Sequence, residues 1–189
     1  MGGSHLCIDA VNLLKIQHQI QPQDVDKVVV SCASRLYENR QTRRPRSIMA
    51  GQMSMPFITT FAFFYDLQDP EVWRDEILSD ERILQFLDHV ECRVDEEIEK
   101  RWRVTGGQGE VKITAQLKGG VERSAVIMHS KGTTENPMTE EEIRQKFLLL
   151  AGRRLPAERC DQIVTAVSRL EQITDLREFT ELLRTEQEN

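Results

Sequence analysis

His5 and Asp9 stand four residues apart, and a helix beginning at Ser4 places them one turn apart on the same side. The carboxylate can then orient the imidazole and raise its basicity, as an acid/base group working near neutral pH requires. A plain surface His–Asp pair has the same spacing. The second chemical signal is the run Arg43-Arg-Pro-Arg-Ser-Ile-Met-Ala-Gly-Gln-Met-Ser-Met-Pro-Phe57, which leads into an apolar segment ending at Phe64. Ser54 reads as an N-cap, and Pro56 falls in the first turn, where its missing N–H is no loss, so a helix starts here. Its N-terminus carries N–H donors and partial positive charge, with Arg40, Arg43, Arg44 and Arg46 just upstream and Gln52 as a neutral donor. That combination suits a carboxylate-bearing ligand. An ordinary capped core helix behind a solvated basic loop would use the same residues.

The elements that must hold these groups follow from periodicity. Residues 5–19 read as a helix with Leu6, Ala10, Leu13 and Leu14 on one face and Pro22 ending it, and Val25–Cys32 as a strand. The helix from Ser54 runs to about Tyr65, residues 80–90 look helical, and residues 90–94 alternate as a short strand. Val111, Ile113, Ala115 and Leu117 alternate with polar residues, Gly119-Gly120 follows, and a second run returns to Met128, which predicts a hairpin. Thr105–Gly109 is expected to be a flexible loop. Thr139-Glu-Glu-Glu142 forms a capping box, and three one-sided helices follow, through Ile143, Ile163 and Leu176. The order predicts an α+β fold: an antiparallel sheet of about four strands covered by helices on one face, with a C-terminal helical run.

Composition excludes several classes. The 189 residues, 39% apolar and 30% charged, describe a soluble globular protein long enough for one domain with a real core, two small domains being possible but not demanded. A net charge of −6 argues against a general nucleic-acid binder. The longest apolar run, residues 56–65, is too short to span a membrane, and no secretory leader is visible, so a cytoplasmic protein is expected. Cys7, Cys32, Cys92 and Cys160 are scattered and read as buried free thiols. His18, His89 and His129 have no partners at ligand spacing, and no metal site is expected.

Three segments carry a family resemblance. Gly51-Gln-Met-Ser-Met-Pro-Phe57 resembles the Gln/Lys-x-Ser-Leu-Pro-Tyr stretch of the MmgE/PrpD family, whose members include 2-methylcitrate dehydratase and cis-aconitate decarboxylase. His5-Leu-Cys-Ile-Asp-Ala10 is similar to its His-x-x-Ile-Asp-Ala helix start, and Gly132-Thr-Thr-Glu-Asn-Pro-Met-Thr139 to its Gly-x-Pro-x-Asn-Pro-Met-Ser/Thr turn. The likeness covers residues 4–184 and corresponds to the family's smaller C-terminal domain, so residues 1–189 are expected to be a single domain. The family's large helical N-terminal domain has no counterpart in the chain.

The resemblance implies a domain or subunit of a cofactor-independent lyase or isomerase. Its substrate would be a small di- or tricarboxylate, and it would be inactive without a helical partner domain and part of a homo-oligomer such as a dimer. It makes His5 the catalytic residue, since the motif histidine belongs to the active site in the decarboxylase branch. It makes Gln52, Ser54 and Phe57 the substrate-binding set, to which the basic run upstream adds Arg46. Phe57 departs from the usual tyrosine and supplies an apolar wall in place of a donor, which weakens proton transfer more than binding. The alternative is a non-catalytic dimerisation or scaffolding module derived from the family.

Overall fold

A computed structural model of the chain describes residues 2–106 and 109–184, which form two compact units meeting in sequence at Pro137/Met138. Gly107 and Gln108, in the stretch expected as a flexible loop, lie outside the described residues. The first unit runs α1 (Gly2–His18), β1 (Val25–Cys32), α2 (Ser34–Tyr37), α3 (Ile48–Met53) and α4 (Met55–Phe64). It continues through α5 (Glu81–Leu87), β2 (Val90–Val94), α6 (Glu96–Thr105), β3 (Val111–Leu117) and β4 (Glu122–Ile127).

Its four strands form one sheet in the order β2-β1-β3-β4. β3 and β4 make the expected hairpin, closed by Gly119 and Gly120 at φ 98° and 84°, values that side chains rarely adopt. β3 is antiparallel to β1, from Val25↔Leu117 to Cys32↔Val111. β2 runs parallel to β1, from Val28↔Val90 to Cys32↔Val94, so the sheet is mixed and the purely antiparallel expectation is corrected. Residues 33–89, including α2 to α5, supply the long crossover that a parallel pair needs. Alternation in Val90–Val94 indicates a strand but carries no information about its direction.

α1 packs on β3, β4 and α4, and α4 packs on α1, α3, α5 and β2. Nine of the ten residues of α4 are buried, Thr59 and Thr60 among them, which is why its sequence shows no one-sided apolar stripe. Leu6, Cys7, Ala10, Val11 and Leu14 of α1 face the same core as Val28, Val30, Ile113 and the rings of Phe57, Phe61 and Phe63. Lys15 locks the two helices, since its Nζ donates to the Ala62 and Phe63 carbonyls at 3.0 and 3.2 Å, groups that the last turn of α4 leaves free.

Among the described residues three helices, α2, α3 and α6, were not legible in the sequence. α3 is capped by Ser47, whose hydroxyl accepts the Ala50 N–H, and it ends at Ser54, the N-cap of α4. α6 offers Ile98 and Trp102 as its only spaced apolar pair. It is fixed by Asp95, which accepts from the Glu97 and Ile98 N–H groups, and by acids in its first turn. Glu99 of α6 accepts from the Ser34 N–H at 2.8 Å, tying α6 to the start of α2.

The second unit contains α7 (Glu140–Ala151), α8 (Ala157–Ser168) and α9 (Leu176–Leu182). The capping box is formed: the Thr139 hydroxyl accepts the Glu142 N–H, and Glu142 accepts the Thr139 N–H at 2.7 Å. Cys160 and Ile163 of α8 are buried, whereas Ile143, Leu150, Val167, Leu170, Leu176 and Leu183 are exposed. No helix among the described residues is long and apolar enough to cross a membrane.

Candidate active site

The first two motif segments, and Lys131 just before the third, meet at the N-terminal half of α1. The Ser4 hydroxyl donates to the Gln52 carbonyl at 2.6 Å, joining α1 to α3. The Lys131 N–H donates to Asp9 Oδ2 at 2.8 Å, joining α1 to the turn that precedes Pro137. That turn is held internally: the Gly132 N–H donates to the Asn136 carbonyl at 2.8 Å, and Asn136 Nδ2 donates to the His129 carbonyl at 3.0 Å. Gly132 takes φ 89°, the left-handed region that a glycine allows. His5 is exposed on the outer side of the same helical turn, and Asp9 is half-buried.

Burial raises the Asp9 pKa above its ordinary 3.8, while the Lys131 N–H and the charges of His5 and Lys131 pull it back. Between 3.8 and the raised value the folded chain holds more protons than the unfolded one, so this contribution to stability falls as pH rises through that window and is complete below it. Asp9→Asn keeps an acceptor for Lys131 and removes the titration. It is expected to flatten the acid-side slope of the urea midpoint and to hold or raise the midpoint at neutral pH. A neutral-pH loss equal to that of Asp9→Ala would show that the charge, not the acceptor, holds the turn.

At the second segment Ser54 is the N-cap that its sequence indicates. Its hydroxyl accepts the Phe57 N–H at 3.1 Å and donates to the Thr42 carbonyl. Ser54 and Phe57 are each only 1% exposed, and Met55 and Pro56 are buried with them. α3 runs directly into this helix start, so the N-terminus of α4 is closed within the unit and Phe57 is a core ring, 5.8 Å from Phe61. Gln52 is half-buried, with its carbonyl taken by Ser4, and Arg46 is exposed.

Gly51 packs on the Phe57 ring: a Cβ there would stand 2.8 Å from Cε1 and 3.0 Å from Cδ1. Gly→Ala inside a helix ordinarily gains about 1 kcal/mol. Here it must displace a packed ring, so Gly51→Ala is expected to destabilise by about 1–3 kcal/mol, read as a lower denaturant midpoint. An unchanged or higher midpoint would mean that the ring has room to move.

The arginines upstream divide by role. Arg43 donates to the Leu87 carbonyl at 2.8 Å and the Val90 carbonyl at 2.6 Å, holding the end of α5 and the start of β2. Arg44 and Arg46 are exposed, whereas Arg40 is half-buried against the first turn of α1. The sequence placed all four in one basic loop and had no means of sorting them. It also gave no role to Lys131, although Gly132 and Asn136 marked its turn.

The buried cysteines Cys7 and Cys32 offer no thiolate. Burial pushes the Cys7 and Cys32 thiols up to about 12, against the opposing charge of Arg40, so neither is a thiolate nucleophile at neutral pH. His89 Nδ1 lies 2.6 Å from the Asp26 carbonyl, and His129 lies 3.9 Å from Glu135. No cluster of three or more His, Cys, Asp or Glu suited to a metal occurs among the described residues.

Residues 1–172 match the MmgE/PrpD C-terminal domain. A curated relative, the cis-aconitate decarboxylase-like protein oryM of Aspergillus oryzae, is 23% identical over 194 residues that cover 98% of this chain and 39% of that protein. The chain therefore spans well under half the length of this relative. With the match running from α1 through α8, the chain belongs to the MmgE/PrpD family and corresponds to its C-terminal domain.

Proposed function

We propose that the chain is the smaller domain of a cofactor-independent, cytoplasmic lyase or isomerase acting on a small di- or tricarboxylate, and that it works only with the family's helical N-terminal domain. The observation that carries this reading is the pair of hydrogen bonds, Ser4 to Gln52 and Lys131 to Asp9, that draw the second motif segment and the residue just before the third to the turn bearing His5. His5 takes or delivers the proton α to a substrate carboxylate, in chemistry of the dehydratase or decarboxylase type. Asp9, anchored by Lys131, stabilises the imidazolium when His5 holds that proton. Phe57 has no hydroxyl to donate, so the complementary acid comes from the helical domain. The exposed apolar residues of α7 to α9 supply surface for that domain and for a homo-oligomer.

The closed N-terminus of α4 favours a second reading, in which the chain is a non-catalytic dimerisation or scaffolding module. Turnover separates them. The chain alone is expected to convert neither methylcitrate nor cis-aconitate, because groups acting as a unit lose nearly all rate when members are missing. The chain assembled with the helical domain is expected to convert one of them. Robust turnover by the chain alone removes the need for a partner, and an inactive assembly with His5 intact leaves the scaffolding role.

A further inference from the structure

The first N–H groups of a helix have no carbonyl one turn back to receive them, so the ladder that holds the rest of α1 holds its first turn least. His5 follows directly on that weak point. Two contacts on the inner side of the turn fix it from outside the helix. Ser4, 7% exposed, donates its hydroxyl to the Gln52 carbonyl at 2.6 Å. Gly3 packs so closely on α2 that a Cβ there would stand 2.4 Å from Leu36 Cδ2. Leu36 has little room to yield, since it is 6% exposed and its other methyl, Cδ1, would stand 3.1 Å from a Cβ on Gly109.

Ser4 is buried and His5, the next residue, is exposed, so these contacts set where the imidazole stands without touching it. We propose that Gly3 and Ser4 are positioning residues for His5, a clamp on α2 and on the Gln52 carbonyl that holds the imidazole at the place proton transfer requires. This rests on the reading of the chain as a lyase or isomerase domain with His5 as the proton-transfer group. A base must come within hydrogen-bond reach of the proton it takes, and a misplacement of about 1 Å lowers such a rate by about 10²-fold. The clamp precedes His5 and the Asp9–Lys131 bond follows it by one turn, so the helix is fixed on both sides of the imidazole. The acceptor for Ser4 is a backbone carbonyl, which ties the first motif segment to the second whatever the Gln52 side chain does.

The test is steady-state turnover of cis-aconitate and of methylcitrate by the chain assembled with its helical domain, for the wild type, Ser4→Ala, Ser4→Thr and Gly3→Ala, with a denaturant midpoint for each. Ser4→Ala and Gly3→Ala are each expected to lower kcat by about 10–100-fold and to leave KM within about twofold of the wild type, because the proton-transfer step is misplaced and substrate binding is not. Gly3→Ala is the sharper of the two, since alanine is otherwise the better helix residue and any loss comes from the displaced contact with Leu36. Ser4→Thr keeps the hydroxyl and is expected to retain more of kcat than Ser4→Ala. Wild-type kcat in Ser4→Ala or in Gly3→Ala would overturn the assignment while leaving the functional reading intact. Ser4→Thr as slow as Ser4→Ala, or losses of kcat that only follow the loss of folded protein at the assay temperature, would also overturn it, by reducing the two residues to general packing. A wild-type assembly that turns over neither substrate would overturn both.

Discussion

His5→Gln is expected to lower turnover by the assembled enzyme by about 10²–10⁴-fold, the scale of one positioned acid/base group. The loss should fall on kcat more than on KM, since the role proposed for His5 is proton transfer and not binding. Folding should be unaffected. His5 is exposed and, among the described residues, makes no hydrogen bond that holds α1, which is fixed instead through Ser4, Asp9 and Lys15. An equal denaturant midpoint with collapsed kcat is the expected pair of results. Unchanged kcat would remove His5 from the chemistry, and a fallen midpoint would give it a structural role.

Phe57 carries the largest expected effect on stability. Its ring is 1% exposed among Gly51, Phe61 and the rest of the core, so Phe57→Ala is expected to cost about 3–5 kcal/mol, enough to unfold a marginal domain. Phe57→Tyr is the more informative change, because tyrosine is the residue the family resemblance leads one to expect. A hydroxyl added to this ring without a partner is expected to destabilise by about 1–3 kcal/mol and to leave citrate affinity unchanged. Denaturant midpoints and calorimetric titration of both proteins read the two quantities separately. Tighter citrate binding by Phe57→Tyr, with the midpoint held, would mean that the helical domain opens the N-terminus of α4 and brings a ligand to the ring.

Local features of this fold were legible where local physics decides them. The Ser54 cap, the Thr139 capping box, β1 and the β3–β4 hairpin all follow from residue types within a few positions of one another. The parallel pairing of β2 was not legible, because it depends on where a long crossover re-enters the sheet. Neither was α6, whose stability comes from charge at its first turn and from the Ser34–Glu99 contact, with little apolar periodicity to reveal it. The site shows the same division. The His5–Asp9 spacing was visible, but Lys131 lies 122 residues from Asp9 and only the fold brings its N–H there. The basic run suggested an anion site without saying that Arg43 would be engaged by the Leu87 and Val90 carbonyls and Arg40 half-buried against α1.

Hydrogen exchange of the chain assembled with its helical domain, with and without saturating citrate, tests most directly whether these segments form one carboxylate site. Protection on citrate addition is predicted in residues 4–9, 51–57 and 130–136 together, with α8 and the β3–β4 hairpin unchanged. Citrate-dependent protection confined to other parts of the chain, or none in the segment bearing His5, would contradict it.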